Sequence, residues 1–280
     1  MKKSVMRKIM LSVLTGAVLI SSNVVWAEEV LIENSNGNKL VFDNDYISYD
    51  REIYGGYSNT GTANENKITI EGGTFERKIY GGYSSYSASD NLITINGGTI
   101  KDRIYGGYSS SGNADNNIVI INGGTIEEEI VSGYSNTGSA NNNKVTVNNG
   151  NFKNAIFGAH IFEEGIASGN IITINDGTFK DFIYGAYSTN NVIGIGNKVI
   201  INNGTFARVY GSRAYTSIGN EVIINNGIFN NAGYGGTSTG NVANENKVII
   251  NNGTFKGSVY GGKTTIGDAN ENEVKISGGT

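Results

Sequence analysis

From Lys67 the chain alternates: Ile68 and Ile70 are apolar, and the residues between and beside them are polar. The same alternation returns at Val145/Val147, Val199/Ile201 and Val248/Ile250. A period of two is that of a strand with one face buried. A second pattern (apolar, aromatic, Gly, small, aromatic) occurs at Ile53–Tyr57 and again at Ile79–Tyr83. Its Tyr54 is matched by Tyr80, Tyr105, Val131, Phe157, Tyr184, Tyr210, Tyr234 and Tyr260, at steps of 26, 25, 26, 26, 27, 26, 24 and 26 residues. Spacing this regular predicts a repeat architecture. Coils are numbered below by this residue, from Tyr54 in coil 1 to Tyr260 in coil 9.

Each unit carries a second fixed segment. Asn197–Phe206 and Asn246–Phe255 are identical copies of it, NKVIINNGTF. After the alternating residues comes a pair such as Gly72-Gly73, Asp176-Gly177 or Asn252-Gly253, in which the second residue is always Gly. These residue types accept positive φ cheaply and mark a sharp bend. Such pairs also close hairpins, but only Thr-Phe or Thr-Ile follows before charges intervene. An arm of two residues cannot pair with a five-residue strand, so the bend is a corner in a coil. The fold predicted is all-β: a parallel β-helix, or β-solenoid, of about nine coils of 24–27 residues. Stacking at about 4.8 Å per coil makes a rod on the order of 45 Å long. Equivalent residues then form ladders. Phe75, Ile100, Ile126, Phe152, Phe179, Phe206, Phe229 and Phe255 form an inward apolar one. Asn96, Asn122, Asn148, Asn175, Asn202, Asn225 and Asn251 form another, with amides bonding from coil to coil.

The first 27 residues belong to no repeat. Lys2, Lys3, Arg7 and Lys8 precede an apolar run, Ile9 to Ile20, and Val25-Trp26-Ala27 supplies small residues for processing. This is the pattern of a secretory signal peptide cleaved between Ala27 and Glu28; the apolar run is short for a membrane span, which takes about 20 residues. Three segments follow: leader 1–27, an N-terminal cap region 28–52, and solenoid repeats 53–280 that stop within a unit. Loss of the leader removes four of 21 basic residues and no acid, leaving 17 against 25 and a charge of −8. Evenly spread acidity argues against nucleic acid as a partner. Cysteine and proline are absent, and Asn equals Gly at 41. Polarity of this kind resembles disorder, but the apolar positions recur too regularly for that.

The leader followed by IYGGYS at 53–58 and 79–84, ITINGGT at 93–99 and their copies resembles the passenger region of bacterial autotransporters, the adhesin-like surface proteins of type V secretion. The resemblance spans Asn38 to Thr280. It implies a right-handed β-helix held outside the cell by a C-terminal outer-membrane β-barrel; the sequence to Gly278-Gly279-Thr280 is still repeat, so either it is part of a longer protein or the anchoring does not apply. Two-partner-secretion exoproteins share the solenoid but carry Asn-Pro-Asn near the N-terminus, where this chain has Asn34-Ser35-Asn36.

Candidate chemistry is sparse. His160, the one histidine, aligns with Tyr57, Tyr83, Tyr108 and Tyr134 and reads as a substituted ladder position. One His without Cys makes a poor zinc site. Asp90, Asp176, Asp181 and Glu163-Glu164 fall in links, corners and loops without recurring as a pair for glycoside hydrolysis. Glu127-Glu128-Glu129 reads as a solvated edge. Gly-rich segments lack the phosphate-binding spacings. No catalytic, metal or cofactor residue is assigned. Alternation turns Tyr54 and its equivalents outward, either as an exposed aromatic row for glycans or proteins or as a self-stacked row that stiffens the rod. The outward strand position runs Thr69, Thr94, Ile120, Thr146, Thr173, Ile200, Ile223, Ile249, Lys275. Ile200, Ile223 and Ile249 thus form a candidate contact stripe, unless a loop folds over them or they pack only for strand stability. Together these features predict an exported, non-enzymatic adhesin or stalk whose partner is a host surface, a glycan or a neighbouring cell-surface protein. The competing classes are a carbohydrate-active enzyme on the same solenoid and a purely structural spacer.

Overall fold

The structure is a computed structural model that describes residues 18–20, 35–43 and 48–280. The cleavage site expected at Ala27–Glu28 lies outside these residues. All regular structure among the described residues is β, and every strand pairing is parallel. The molecule is a β-solenoid. One coil runs Lys67–Ile70, a corner, Thr74–Phe75, a charged link, Ile79–Ser84, and a polar loop that leads to Leu92–Ile95. The three strands of successive coils stack into three sheets of 11, 9 and 12 strands. They are called here the isoleucine, corner and tyrosine sheets. Strands in each follow the order of the chain, since every coil pairs with the one before it.

The isoleucine strands form because β-branched residues alternate with polar ones. Val199 and Ile201 are fully buried while Lys198 and Ile200 are partly exposed. Ile79 of the tyrosine sheet, Ile68 and Ile70 of the isoleucine sheet and Phe75 of the corner sheet belong to one continuous core. The predicted aromatic ladder runs through it. Phe152, Phe179, Phe206, Phe229 and Phe255 stack at 4.7–5.0 Å between ring centroids. Tyr49 extends the ladder onto Phe75 at 4.8 Å. The segment read as a cap therefore supplies two strands of a coil, Lys39–Phe42 and Ser48–Tyr49. Val18–Ile20, inside the expected leader, pairs with Leu40–Phe42 at that end of the isoleucine sheet. Cleavage after Ala27 would remove this strand and leave Lys39–Phe42 at the edge.

At the corners, the second residue of each pair has φ between 93° and 142°, as at Gly98 and Gly150, and the first residue does not share it. A second left-handed position is less uniform in residue type. Glu65, Asp90, Asn116, Asn142, Glu245 and Glu271 have φ of 54–60°, and Gly169, Gly196 and Gly219 take their place in coils 5 to 7. Each immediately precedes the first Asn of the fixed segment.

That Asn builds the main polar element of the interior. Asn66, Asn91, Asn117, Asn143, Asn170, Asn197, Asn220 and Asn246 are fully buried. The Oδ1 of Asn91 accepts from both the backbone N–H and the Nδ2 of Asn66, each at 3.0 Å, and Asn91 donates in the same way to Asn117. The second Nδ2 hydrogen goes to a loop carbonyl, as from Asn91 to Ala63 at 3.0 Å. The tyrosine strands lie directly against this ladder. A Cβ on Gly82 would come within 2.1 Å of the Ala63 carbonyl oxygen and 2.6 Å of Asn91 Nδ2. The small residues between the two aromatics are therefore a steric requirement. The expected ladder from Asn96 to Asn251 also forms, with Nδ2 to Oδ1 distances of 2.6–2.7 Å, but along the exposed surface.

Candidate functional site: an aromatic face and an isoleucine stripe

Two side chains of each tyrosine strand, those of Tyr80 and Tyr83 in coil 2, lie outside the main core and form their own cluster. Register places Tyr54, Tyr80, Tyr105, Val131, Phe157, Tyr184, Tyr210, Tyr234 and Tyr260 in an inner row. The outer row is Tyr57, Tyr83, Tyr108, Tyr134, His160, Tyr187, Arg213, Thr237 and Lys263. Rings within a row stack nearly parallel, as for Tyr54 and Tyr80 at 4.9 Å and 2°. Rings of the two rows meet edge to face, as for Tyr80 and Tyr83 at 5.4 Å. The two geometries together cover the inner row, which is buried from Tyr54 to Tyr210. Self-stacking is thus the arrangement found for the inner row, and its expected exposure does not occur because the outer row lies over it. What remains accessible is the half-buried outer row.

Burial raises the pKa of the inner hydroxyls, and that of outer-row Tyr134 is pushed up to about 12. His160 occupies its tyrosine position as expected, edge-on to Tyr134 and Tyr187 at 5.3 and 5.1 Å. Burial, helped by the Arg103 charge, lowers its pKa from 6.5 to about 4, so the ring is neutral near pH 7.

Charge on this face changes along the rod. In coils 1 to 4 the residues just before the inner row pair with one another, Lys78 with Glu52 at 4.0 Å and Arg103 with Glu129 at 2.9 Å. The Tyr54 hydroxyl donates to the Glu52 carboxylate. In coils 7 to 9 the cations lie over rings instead. Arg208 is 5.3 Å from the Phe182 centroid, Arg213 5.9 Å from Tyr187, and Lys263 5.1 Å from Tyr260.

The predicted stripe is present. Ile200, Ile223 and Ile249 are direct register partners, with Thr173 before and Lys275 after them. All three are half-buried. Along one side runs a row of ion pairs, Lys198–Glu221 at 2.8 Å and Lys247–Glu273 at 2.6 Å. Along the other runs the exposed amide ladder through Asn202, Asn225 and Asn251.

A third surface had little signal in the sequence beyond an apolar loop, Ile161 to Ser168. There the tyrosine strand of coil 5 continues as Ile156–Ser168, and its second half pairs with Asn191–Ile195. The lip so formed exposes Phe162, Ile166, Ile193 and Ile195 beside a shallow concavity lined by Glu164 and Asn191. Glu127, Glu128 and Glu129 are not a free solvated edge. All are half-buried, and they bond to Lys153, Asn154 and Arg103 of neighbouring coils at 2.6, 3.0 and 2.9 Å. No group of three or more His, Cys, Asp or Glu among the described residues is placed to hold a metal ion. Comparison with family models, with curated proteins and with solved structures returns no match. The functional reading therefore rests on these surfaces and on the leader expected from the sequence.

Proposed function

We propose that the protein is exported and works at the cell surface as a non-enzymatic adhesin or stalk, in the manner of the autotransporter passengers its repeats resemble. The observation that carries the proposal is the pairing of export-type leader chemistry at Lys2–Ala27 with unbroken side-chain ladders down the rod. A solenoid held by in-register ladders is stiff and extended, which suits carrying a contact surface away from an anchoring point. The stripe Ile200–Ile223–Ile249 is the proposed contact with a host surface or neighbouring protein. The test is made on cells expressing the native gene. Expected are a mature N-terminus at Glu28 and loss of the chain when intact cells are treated with protease. An uncleaved chain retained in the cytoplasm would overturn the proposal.

A further inference from the structure

The aromatic face is not uniform, and its departures from the repeat gather at one end. In the outer row the aromatic positions of coils 1 to 6 give way to Arg213, Thr237 and Lys263 in coils 7 to 9, above an inner row that remains Tyr210, Tyr234, Tyr260. Arg208 joins them from the position before the inner row, where coils 8 and 9 carry Ala232 and Ser258. These three columns hold three cations and no acid over coils 7 to 9, in a chain whose net charge is −4. None of Arg208, Arg213 and Lys263 has an ion-pair partner among the described residues, unlike Arg77, Lys101 and Lys153.

The local field agrees. The charges acting on Tyr210 and Tyr234 are those of Arg208, Arg213 and neighbouring tyrosines, with no carboxylate among them, whereas Tyr54 and Tyr80 feel Glu52. Of the three covered polar side-chain atoms without a hydrogen-bond partner among the described residues, two belong to this patch: Arg208 Nε and Thr237 Oγ1. Covered polar groups are ordinarily satisfied, so these two atoms mark the patch as a departure from the packing of the rest of the face. Lys263 is exposed, and Arg213, Thr237, Tyr234 and Tyr260 are half-exposed. Arg213 and Lys263 are two coils apart, about 10 Å at the parallel-strand spacing.

We propose that the aromatic face of coils 7 to 9 binds an acidic polysaccharide, with Arg213 and Lys263 taking successive carboxylate or sulfate groups and Tyr234 and Tyr260 supporting the sugar rings. Guanidinium and ammonium groups recognise such anions, and amphipathic aromatic rings suit a ligand with one polar edge and one apolar face. The choice of a polysaccharide over other polyanions rests on the export reading above.

The purified chain is titrated calorimetrically with heparin as the sulfated probe, polygalacturonate as the carboxylated probe, neutral dextran and a DNA duplex. Expected is binding to one or both acidic polysaccharides, weakened at least fivefold between 50 and 300 mM salt by screening (about 14 and 6 Å Debye lengths), with none to dextran. Arg213→Tyr and Lys263→Tyr restore the residue that other coils carry, so the ladder stays packed while the charge is lost. Each should weaken binding about tenfold with the melting temperature unchanged, while Lys153→Ala, an equal loss of charge elsewhere, changes nothing. Absence of binding, preference for DNA, or equal weakening by Lys153→Ala would overturn this assignment. Protease accessibility on intact cells decides the adhesin reading separately.

Discussion

At the scale of single residues, chemically identical side chains have opposite fates. Asn170 is buried with its Nδ2 donating to Asn197 Oδ1 at 2.8 Å and to the Ala140 carbonyl at 2.9 Å, and its Oδ1 accepting twice from Asn143. Asn175 makes the same amide-to-amide bonds at the exposed surface. Removing a partner from buried groups costs about 1–3 kcal/mol for each group left unpaired. Asn170→Ala should therefore lower stability by at least about 3 kcal/mol, and Asn175→Ala by about 1 kcal/mol or less, measured by denaturant unfolding. Similar losses at both positions would contradict the burial assigned here. His160 supplies a pH dependence. Its folded pKa is lowered from 6.5 to about 4, so the unfolded chain takes up the proton first as pH falls. Stability from this site is complete above pH 6.5 and is lost between 6.5 and 4, on the order of 1–3 kcal/mol for a half-buried ring. His160→Phe should flatten the unfolding midpoint between pH 6.5 and 5, above the range where carboxylates titrate.

At the scale of the strand and its corner, two bends per coil define the shape, and one was legible. The Gly after Asn or Gly announces its bend through residue type. The other is held at φ near 60° by residues of mixed type: Asp90, Asn116, Asn142 and three glycines accept that conformation, whereas Glu65, Glu245 and Glu271 do not favour it. It forms because the following Asn must enter the interior ladder, so tertiary bonding overrides local preference. Left-handed backbone costs an L-residue about 1–2 kcal/mol, offset in part by the greater freedom glycine recovers on unfolding. Exposed Glu245→Gly should consequently raise stability by up to about 1 kcal/mol, seen as a higher thermal midpoint. A fall would mean that the Glu245 side chain has a stabilising contact.

At the scale of the whole molecule, regular stacking makes function depend on where regularity lapses. Threonine in the outward row gives way to Ile200, Ile223 and Ile249, and tyrosine in the outer aromatic row to Arg213 and Lys263. Replacing the three isoleucines by threonine keeps a residue suited to exposed strands. The triple variant should reduce adhesion or self-association, scored by cell attachment and sedimentation, with the β-rich circular dichroism spectrum intact. Unchanged association would make the stripe structural.

The sequence alone determined the period, the strand class, the Gly corners, the inward Phe and Ile ladder and the line-up of His160 with the tyrosines. All of these follow from local chemistry or from counting residues in a coil, because in-register stacking turns chain spacing into spatial neighbourhood. Tertiary structure alone decided which polar rows are buried. Asn66 and its equivalents lie where a tyrosine strand rests on them, and Asn96 and its equivalents do not, although both recur as faithfully along the chain. It also decided that the inner tyrosines are covered. Alternation states the side to which a ring points, whereas exposure depends on the neighbouring ring that crosses it edge to face.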